Sequence, residues 1–307
     1  MNICILTHGK AKFIKGSTVS TRSLYDAAVK RGHKVRVINA ALCYVEVNSD
    51  KPKVWYEGED ISQAFDAIIP RIMPSLTNYA TAILRQFEML GVYTTAKSIA
   101  IVRSRDKFRA IQLLAKSKID IPQTIFSRES AEIDDLIEKT GVPAIIKLAK
   151  GTQGKGVVLA ETRKAAKSVM QAFYVLDTSI LLQEYIEESA GADIRAFVVG
   201  NTVVASMRRQ SLDDDFRSNL HQGGEGTPMK LTDDQAKLAV RAAKAMGLQI
   251  CGVDFILSNR GPLVLEVNAN PGLEGIERVT GHNVAKKIIE YVENNAKQRN
   301  RKDKVGA

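Results

Sequence analysis

Residues 251–272, CGVDFILSNRGPLVLEVNANPG, contain two apolar segments joined by a short polar turn. Both segments have the composition of β-strands, and Asn259-Arg260-Gly261 between them is typical of a three-residue hairpin loop with glycine in a left-handed conformation. Such a loop pairs Ser258 with Pro262. The stretch therefore predicts an antiparallel hairpin whose polar residues can be assigned to faces.

Three oxygen-bearing side chains fall on one face of this hairpin. In the predicted register Asp254 lies opposite Glu266, and Asn268 follows on the same face because side chains alternate along a strand. Facing carboxylates destabilise a strand pair, so we expect a cation between them. Oxygen ligands select Mg²⁺ or Mn²⁺ rather than zinc. The alternative is an exposed hairpin edge whose acids face solvent.

A glycine-rich turn, residues 151–156, lies further upstream between two apolar strands. Its backbone N–H groups could cradle an anion, and Lys155 adds positive charge, although a flexible turn has the same composition. Lys147 interrupts the apolar strand PAIIKLA, where it either extends to solvent or points at a bound phosphate. These residues predict a phosphate site only in combination with others.

Other candidate nucleotide-binding groups occur in the same order along the chain. Gln183–Ile186 ends an apolar strand and could read an adenine edge through its backbone, and Asp193 could accept hydrogen bonds from ribose hydroxyls. Residues 217–224 combine an arginine, an amide and two glycines, which is typical of a phosphate-binding loop. Lys107 supplies a further cation at a helix start.

Residues 1–97 have the pattern of an α/β layer of Rossmann-like type. Strands are predicted at 2–7, 34–39 and 65–70, with a helix at 19–31, so we expect a small parallel sheet. No G-x-G-x-x-G motif follows the first strand, which argues against dinucleotide binding. Further predicted strands are 54–56, 143–149, 156–160, 180–183, 195–199, 203–207, 252–257 and 262–267, and further helices are 78–90, 105–117, 162–173, 232–247 and 283–294.

Composition places the chain among globular proteins of two or three domains, with 307 residues of which 45% are hydrophobic and 25% charged. No apolar run approaches the ~18 residues of a membrane span, and the N-terminal run is too short for a signal peptide. We therefore expect a cytoplasmic protein without membrane contact. Cys4, Cys43 and Cys251 are far apart and are expected to be small buried hydrophobes.

The net charge of +10 indicates anionic partners. Residues 296–307 hold five bases and one acid, and the remaining positive charge is spread over the body. This tail is either a solvated terminus or a contact for RNA or the ribosome. A basic RNA-binding or ribosome-binding module is the alternative function of a different class.

Taken in order, these segments resemble the ATP-grasp superfamily and, within it, the RimK-type ligases that modify small-subunit ribosomal protein six with glutamate. The resemblance covers residues 1–295. The matching segments are PRI at 70–72, LRQFEMLG at 84–91, KGTQGKGVVLAET at 150–162, QEYI at 183–186, DFRSNLHQGG at 215–224, GVDF at 252–255 and RGPLVLEVNANPGLEGIE at 260–277.

The resemblance implies a mixed α/β (α+β) ATP-grasp fold in three parts. A Rossmann-like pre-ATP-grasp domain would span residues 1–97, a central lobe with the glycine-rich loop 98–182, and a C-terminal lobe with the metal site 183–295, followed by the basic tail 296–307. It also implies catalytic roles for Arg217 and Asn219. Implied ATP-binding residues are Lys107, Lys147, Gly154, Lys155, Gly156, Glu184, Tyr185, Ile186, Asp193, Arg217, Ser218 and Asn219, and implied ligands of two Mg²⁺ or Mn²⁺ ions are Asp254, Glu266 and Asn268.

The function implied is that of an ATP-dependent carboxylate–amine ligase. It would activate the C-terminal carboxylate of the ribosomal protein as an acyl phosphate and join L-glutamate to it, with poly-glutamate as a further product. His221 could assist deprotonation of the amine or act only as a hydrogen-bonding group. The alternative within the superfamily is a ligase acting on a cofactor tail or a carrier protein. A homo-oligomer is also expected.

Overall fold

A computed structural model describes residues 1–8, 19–129, 132–149, 156–189, 191–211 and 225–296 of the chain. The strands are β1 (Asn2–Thr7), β2 (Lys34–Asn39), β3 (Cys43–Glu46), β4 (Lys53–Tyr56), β5 (Glu59–Asp60), β6 (Ala67–Pro70), β7 (Tyr93–Thr94), β8 (Thr124–Ser127), β9 (Ala144–Leu148), β10 (Val157–Ala160), β11 (Ile180–Glu184), β12 (Ala192–Val199), β13 (Thr202–Gln210), β14 (Glu225–Pro228), β15 (Ile250–Ser258) and β16 (Gly261–Asn268). The helices are α1 (Val19–Lys30), α2 (Thr77–Met89), α3 (Ser98–Arg105), α4 (Lys107–Lys116), α5 (Ile133–Thr140), α6 (Arg163–Val175), α7 (Asp233–Met246), α8 (Glu274–Thr280) and α9 (Val284–Asn295).

The N-terminal sheet has the strand order β2-β1-β6-β7, and β1 runs parallel to both β2 and β6. Alternate side chains of β1 enter two different cores. Ile3 and Ile5 pack with residues of α1 and α9, whereas Cys4 and Leu6 pack with residues of α2. The predicted parallel sheet is confirmed, and burial on both faces explains why its two inner strands, β1 and β6, are largely apolar.

The central lobe is an antiparallel sheet in the order β10-β9-β11-β8. One face is covered by α5 and α6, where Ile146 and Leu182 are fully buried with Met170. Because side chains alternate along a strand, Lys147 and Gln183 lie on the opposite face. The lobe thus presents a face with polar groups next to the rest of the molecule.

The C-terminal sheet has the order β14-β13-β12-β15-β16 and is antiparallel throughout. Val253 and Phe255 of β15 are fully buried in a cluster that also contains Ala239 and Ala242 of α7. Asp254, between them, therefore points to the other face. The cluster also includes Leu6 of β1, so the N-terminal and C-terminal sheets share a core, whereas the central lobe has its own.

The predicted helix at 105–117 is wrong at its N-terminus. Asp106 has an extended conformation (ψ 101°), and its side chain accepts a hydrogen bond from the backbone N–H of Arg109, so it caps a new helix, α4. A separate helix, α3, precedes it. An aspartate is a strong N-cap, and the alternation of bases and leucines does not reveal this break.

Two further expectations can be compared with the described residues. All three cysteines are buried and free, as predicted. None of the helices that the structure describes combines the length and apolar character needed to cross a membrane.

The core of the central lobe can be tested at Leu182, which is fully buried. Leu182→Ala removes apolar contacts and leaves a cavity, so the free energy of unfolding should fall by about 2–5 kcal/mol. Urea denaturation followed by circular dichroism measures this change. Leu176→Ala, at a side chain that is 72% exposed, is the matched control and should be nearly neutral. Equal effects of the two substitutions would contradict the assigned core.

Candidate active site

The predicted pair of carboxylates is present on β15 and β16, but the turn between them differs from expectation. Asp254 is the cross-strand partner of Glu266, as predicted, whereas Ser258 pairs with Gly261 rather than with Pro262. The loop is therefore Asn259-Arg260, one residue shorter than the predicted loop. A β-bulge between Asp254 and Phe255 restores the register by leaving Leu265 unpaired.

The bulge also changes which residues of β16 face away from the α7 core. Leu263 and Leu265 pack with Ile186 and Ile256 in a small apolar cluster, while Val264 and Val267 belong to the core shared with α7. Beyond the bulge, Glu266 and Asn268 extend toward the side of Asp254, and the Asn268 amide donates a 2.7 Å hydrogen bond to Glu266 Oε1. The hairpin face that points away from α7 thus carries the apolar residues Leu263 and Leu265, followed along β16 by the polar residues Glu266 and Asn268.

Two predicted phosphate-binding lysines lie near these acids. Lys147 Nζ donates to Gln183 Oε1 at 2.7 Å, and Lys107 Nζ donates to the Leu148 carbonyl at 3.0 Å. Burial lowers the pKa of Lys147 to about 8, while Glu266 opposes this shift and Lys107 adds to it. Burial likewise lowers the pKa of Lys107. Positive charge from two elements therefore converges on the cleft that contains Glu266.

The two carboxylates differ in environment. Burial would raise the pKa of Asp254, but the adjacent Arg195 and Arg209 guanidiniums hold it well below its usual range. Glu266 is an exposed residue, yet protein atoms crowd its carboxylate. This desolvation and the charge of Asp254 raise the pKa of Glu266. The raised pKa of Glu266 favours an added positive charge there, whereas the two arginines already neutralise Asp254.

The two arginines beside Asp254 were not among the predicted site residues. Arg195 donates from Nε to Asp254 Oδ1 at 2.7 Å and from Nη2 to Oδ2 at 2.5 Å. Arg209 Nη2 donates to Asp254 Oδ2 at 2.9 Å. The sequence does contain a signal, since Asp193 and Arg195 are charged residues two apart in the otherwise apolar strand ADIRAFVV.

Asp193, predicted to bind ribose, lies in the same buried network. It is 8% exposed, and Arg209 donates to both of its oxygens, with a distance of 2.7 Å from Nε to Oδ1. Its carboxylate is therefore an ion-pair partner in this structure. Burial raises the pKa of Asp193, and Arg209 opposes that effect.

The segment predicted to contact adenine lies beside the apolar cluster. Ile186 is 6% exposed and packs with Ile256 and Leu263. Glu184 Oε1 accepts hydrogen bonds from the Gln123 backbone N–H at 2.7 Å and from Arg260 at 2.5 Å. Tyr185, between them, is only partly exposed. The segment thus joins the central sheet, through β11, to the apolar part of the hairpin face.

Gly156, the last residue of the glycine-rich turn, has a backbone that requires glycine. Its φ is +72°, and a Cβ there would lie 2.5 Å from Leu148 Cδ1. Its carbonyl accepts from the Leu148 N–H at 2.9 Å, which closes the strands toward the turn. The other predicted residues of the two loops, Gly154, Lys155, Arg217, Ser218, Asn219 and His221, lie outside the described residues.

A second polar group lies where the N-terminal sheet meets the end of the hairpin. Arg71 follows β6, is 9% exposed, and donates from Nη1 to the Pro271 carbonyl at 2.9 Å. Arg71 Nε, His8 Nδ1 and Asn270 Oδ1 are buried atoms without a hydrogen-bond partner in the part of the chain that is described. Burial lowers the pKa of Arg71 to about 10. None of these three residues was among the predicted site residues.

The fold and the acid–lysine cleft define an ATP-grasp ligase, an ATP-dependent enzyme that forms a C–N bond. Residues 104–292 match the family model described as RimK-like ATP-grasp domain, and residues 1–101 match the RimK PreATP-grasp domain. The chain therefore belongs to the RimK family.

Curated relatives agree with this assignment. A protein of Nitrosococcus oceani named "Probable alpha-L-glutamate ligase" is 55% identical over 278 residues, covering 90% of this chain and 92% of the relative. "Probable alpha-L-glutamate ligase 2" of Shewanella denitrificans is 50% identical and covers 99% of both chains.

Solved structures share the fold. A RimK domain ATP-grasp protein of Sphaerobacter thermophilus matches with a TM-score of 0.69 at 20% identity, covering 95% of this chain and 99% of the other. D-alanine–D-alanine ligase of Bacillus anthracis, solved with ATP, matches with a TM-score of 0.69 at 15% identity, covering 97% and 98%.

The lowered pKa of Lys147 has a measurable consequence for stability. Between about pH 8 and the ordinary lysine value of 10.5 the unfolded chain binds more protons than the folded one at this residue, so Lys147 makes stability rise with pH across this window. Lys147→Met should reduce that rise in urea denaturation between about pH 7.5 and about pH 9.5. Lys164→Met, at an exposed position of α6, should leave it unchanged. An unaltered slope in Lys147→Met would argue against a desolvated lysine.

Proposed function

We propose that this enzyme joins L-glutamate to the C-terminal carboxylate of a protein acceptor, and that the acceptor is small-subunit ribosomal protein six. The observation that carries the proposal is the proximity of Lys107 and Lys147 to Glu266, which pairs with Asp254 across the strands and accepts a hydrogen bond from Asn268. Lysines can hold a triphosphate there, and paired oxygens can hold a cation beside it. The relatives' names support glutamate as the amino acid.

The reaction needs activation because a carboxylate has no useful leaving group for attack by an amine. A carboxylate oxygen attacks the γ-phosphorus of ATP, the bond from γ-phosphorus to the β,γ-bridging oxygen breaks, and ADP leaves. The glutamate nitrogen then attacks the acyl carbon, phosphate leaves, and the amine loses a proton to give the amide. Positioning and electrostatic stabilisation account for catalysis of the phosphoryl transfer.

Asp254, Glu266 and Asn268 fit a divalent ion by their chemistry. Two facing carboxylates and an amide supply only oxygens, and the raised pKa of Glu266, which follows from desolvation and from Asp254, favours an added positive charge. We propose that these residues hold Mg²⁺ or Mn²⁺, two ions in the complete site. When bound, the ions would neutralise charge on the phosphates.

The chain's own residues bind and orient the nucleotide in this proposal. Lys107 and Lys147 would donate to phosphate oxygens, and ATP would strengthen the protonated form of Lys147. The cluster of Ile186, Ile256, Leu263 and Leu265 would cover the adenine ring, with Glu184 and Tyr185 beside it. We also propose that Asp193 contacts the ribose, in which case its carboxylate would accept hydrogen bonds from both the ribose and Arg209.

Arg71 is suited to bind a carboxylate of the amino-acid substrate. Within the described residues no acid forms an ion pair with this buried guanidinium, and its Nε lacks a hydrogen-bond partner there. Asn270 lies two residues beyond Asn268, and its unpartnered Oδ1 could accept from an ammonium group. Donor and acceptor together fit the charged ends of an α-amino acid.

Several finer features belong to the same proposal. The division into parts at residues 1–97, 98–182 and 183–295 stays part of the proposal, with the second boundary moved past β11, which ends at Glu184. The basic tail 296–307 would contact RNA or the ribosome. We further propose that the enzyme is cytoplasmic, that it forms a homo-oligomer and that it also makes poly-glutamate. The charge of +10 favours an acidic acceptor over a neutral cofactor tail.

ADP release in the presence of Mg²⁺ tests the proposal across amino acids, with and without a peptide ending in the acidic C-terminus of the acceptor. Turnover with glutamate and peptide supports it, and turnover with glutamate alone indicates self-polymerisation. ADP release that is stimulated only by a carrier protein or a cofactor tail would show that the acceptor is one of these rather than the ribosomal protein. No stimulation by any amine would reject the proposed glutamate chemistry.

Glu266→Gln should lower kcat in this assay by about 100-fold or more, because one negative ligand of the proposed ion is lost. Circular dichroism should show a folded protein, since Glu266 is solvent-accessible. Glu138→Gln, at an exposed position of α5, is the matched control and should retain full activity. Rates like those of the wild type in Glu266→Gln would refute the ligand role.

Arg71→Gln should raise the KM for glutamate by about tenfold or more, the effect of losing a charged hydrogen bond, with little change in the KM for ATP. Steady-state ADP release against each substrate separates the two constants. Arg85→Gln, on the exposed face of α2, should change neither. Equal loss of apparent affinity for both substrates would contradict a dedicated carboxylate site.

A further inference from the structure

Asp254 is heavily engaged by arginine in this structure. Its Oδ1 accepts from Arg195, and its Oδ2 accepts from both Arg195 and Arg209, over distances of 2.5–2.9 Å. A carboxylate offers about four lone-pair positions, so three of them are already used. A divalent ion on Asp254 therefore has to compete with at least one guanidinium.

The two arginines are not equivalent. Arg209 has a side chain that is 5% exposed and bridges Asp193 and Asp254, so its departure would leave two buried acids without their shared cation. Arg195 has a side chain that is 18% exposed and forms its ion pair with Asp254. Arg195 can leave Asp254 at lower cost, because Arg209 would still hold that carboxylate.

Arg195 also lies beside the proposed metal ligands. Its Nε would be 3.6 Å from a Cβ placed on Gly252, and Gly252 is the cross-strand partner of Asn268. Arg195 is itself the partner of Asp254 across β12 and β15. The guanidinium thus occupies the face between Asp254 and Asn268, next to where the phosphates of ATP would lie.

We propose that Arg195 is an exchangeable cation: it neutralises Asp254 while no divalent ion is bound, and once an ion takes Asp254 it turns to the transferred phosphoryl group. The inference rests on the proposed function, because it requires Asp254 to be a metal ligand. The Arg195 guanidinium and a divalent ion compete for the same oxygens of Asp254, so binding of one weakens binding of the other. The released guanidinium then has a fork of donors that matches phosphate oxygens.

Two opposite effects of Arg195 on binding follow. Without nucleotide it competes with the ion, so removing it should tighten ion binding. With nucleotide present, Arg195 can bind a phosphate group only after the ion has displaced it from Asp254. Arg195 should therefore increase the coupling by which ion and nucleotide raise each other's affinity. A purely structural role would predict weaker ion binding in both conditions, because Asp254 would lose its orientation.

The test is Mn²⁺ binding to the full chain, followed by the electron paramagnetic resonance signal of free Mn²⁺, with and without a non-hydrolysable ATP analogue. Arg195→Met should bind Mn²⁺ about tenfold or more tighter without nucleotide, the effect of removing one competing charged hydrogen bond. The analogue should then increase Mn²⁺ affinity less than it does in the wild type. Arg208→Met, at an exposed position of β13, is the matched control and should behave as the wild type.

Arg209→Met provides the structural comparison. It should lower the melting temperature and weaken Mn²⁺ binding, whereas Arg195→Met should keep a melting temperature close to that of the wild type. If the wild type binds Mn²⁺ only together with the analogue, nucleotide-free binding by Arg195→Met supports the exchange, and its absence counts against it.

The remaining outcomes separate the inference from the proposed function. Unchanged or weaker Mn²⁺ binding by Arg195→Met, with normal binding by the wild type, overturns the exchange and leaves the metal site in place. Wild-type protein that binds no Mn²⁺ in either condition overturns both. Neither result depends on turnover, so an unidentified acceptor does not affect the test.

Discussion

The balance of charge around Asp254 is the constraint on which the site depends. The Asp254 carboxylate, on a residue with 2% exposure, is stable only if cations accompany it. Arg195 supplies one from the neighbouring strand β12, and Arg209 supplies another from β13, the next strand in the sheet. Because β12 and β13 provide these arginines, the register of the C-terminal sheet determines which charges lie beside Asp254. Glu266, which lies on β16 opposite Asp254, is exposed to solvent.

The cleft is formed by parts of the chain with different cores. The N-terminal and C-terminal sheets share buried side chains, so Arg71 after β6 and Asn270 after β16 are held near each other by common packing. The central lobe brings Lys147 from a sheet with a separate core. The two acids and the proposed amino-acid site are thus fixed to one body together with Lys107 of α4, whereas Lys147 belongs to another.

Much of this arrangement could be predicted from the sequence, for identifiable reasons. Alternation along β15 and β16 placed Asp254 opposite Glu266, and the apolar runs of β1 and β6 indicated a parallel sheet. The turn was wrong because a two-residue loop with a bulge and a three-residue loop without one give the same acid pair. Arg71 was missed because its partner Pro271 is 200 residues away, and no local pattern records such pairing. Arg209 was missed as a partner of Asp254 for the same reason, since 45 residues separate them, although its other partner Asp193 is only 16 residues away across the β12–β13 hairpin.

The bulge at Leu265 separates the apolar cluster from the acid pair, although residues of both lie on β16. Since Val264 and Glu266 pair with consecutive residues of β15, Leu265 is an additional residue in the ladder rather than part of its alternation. Its side chain joins the apolar cluster, while Asp254 and Glu266 would remain partners if it were deleted. The hydrophobic wall of the cleft can therefore change by insertion, deletion or substitution at a single position while the spacing of the acids is conserved.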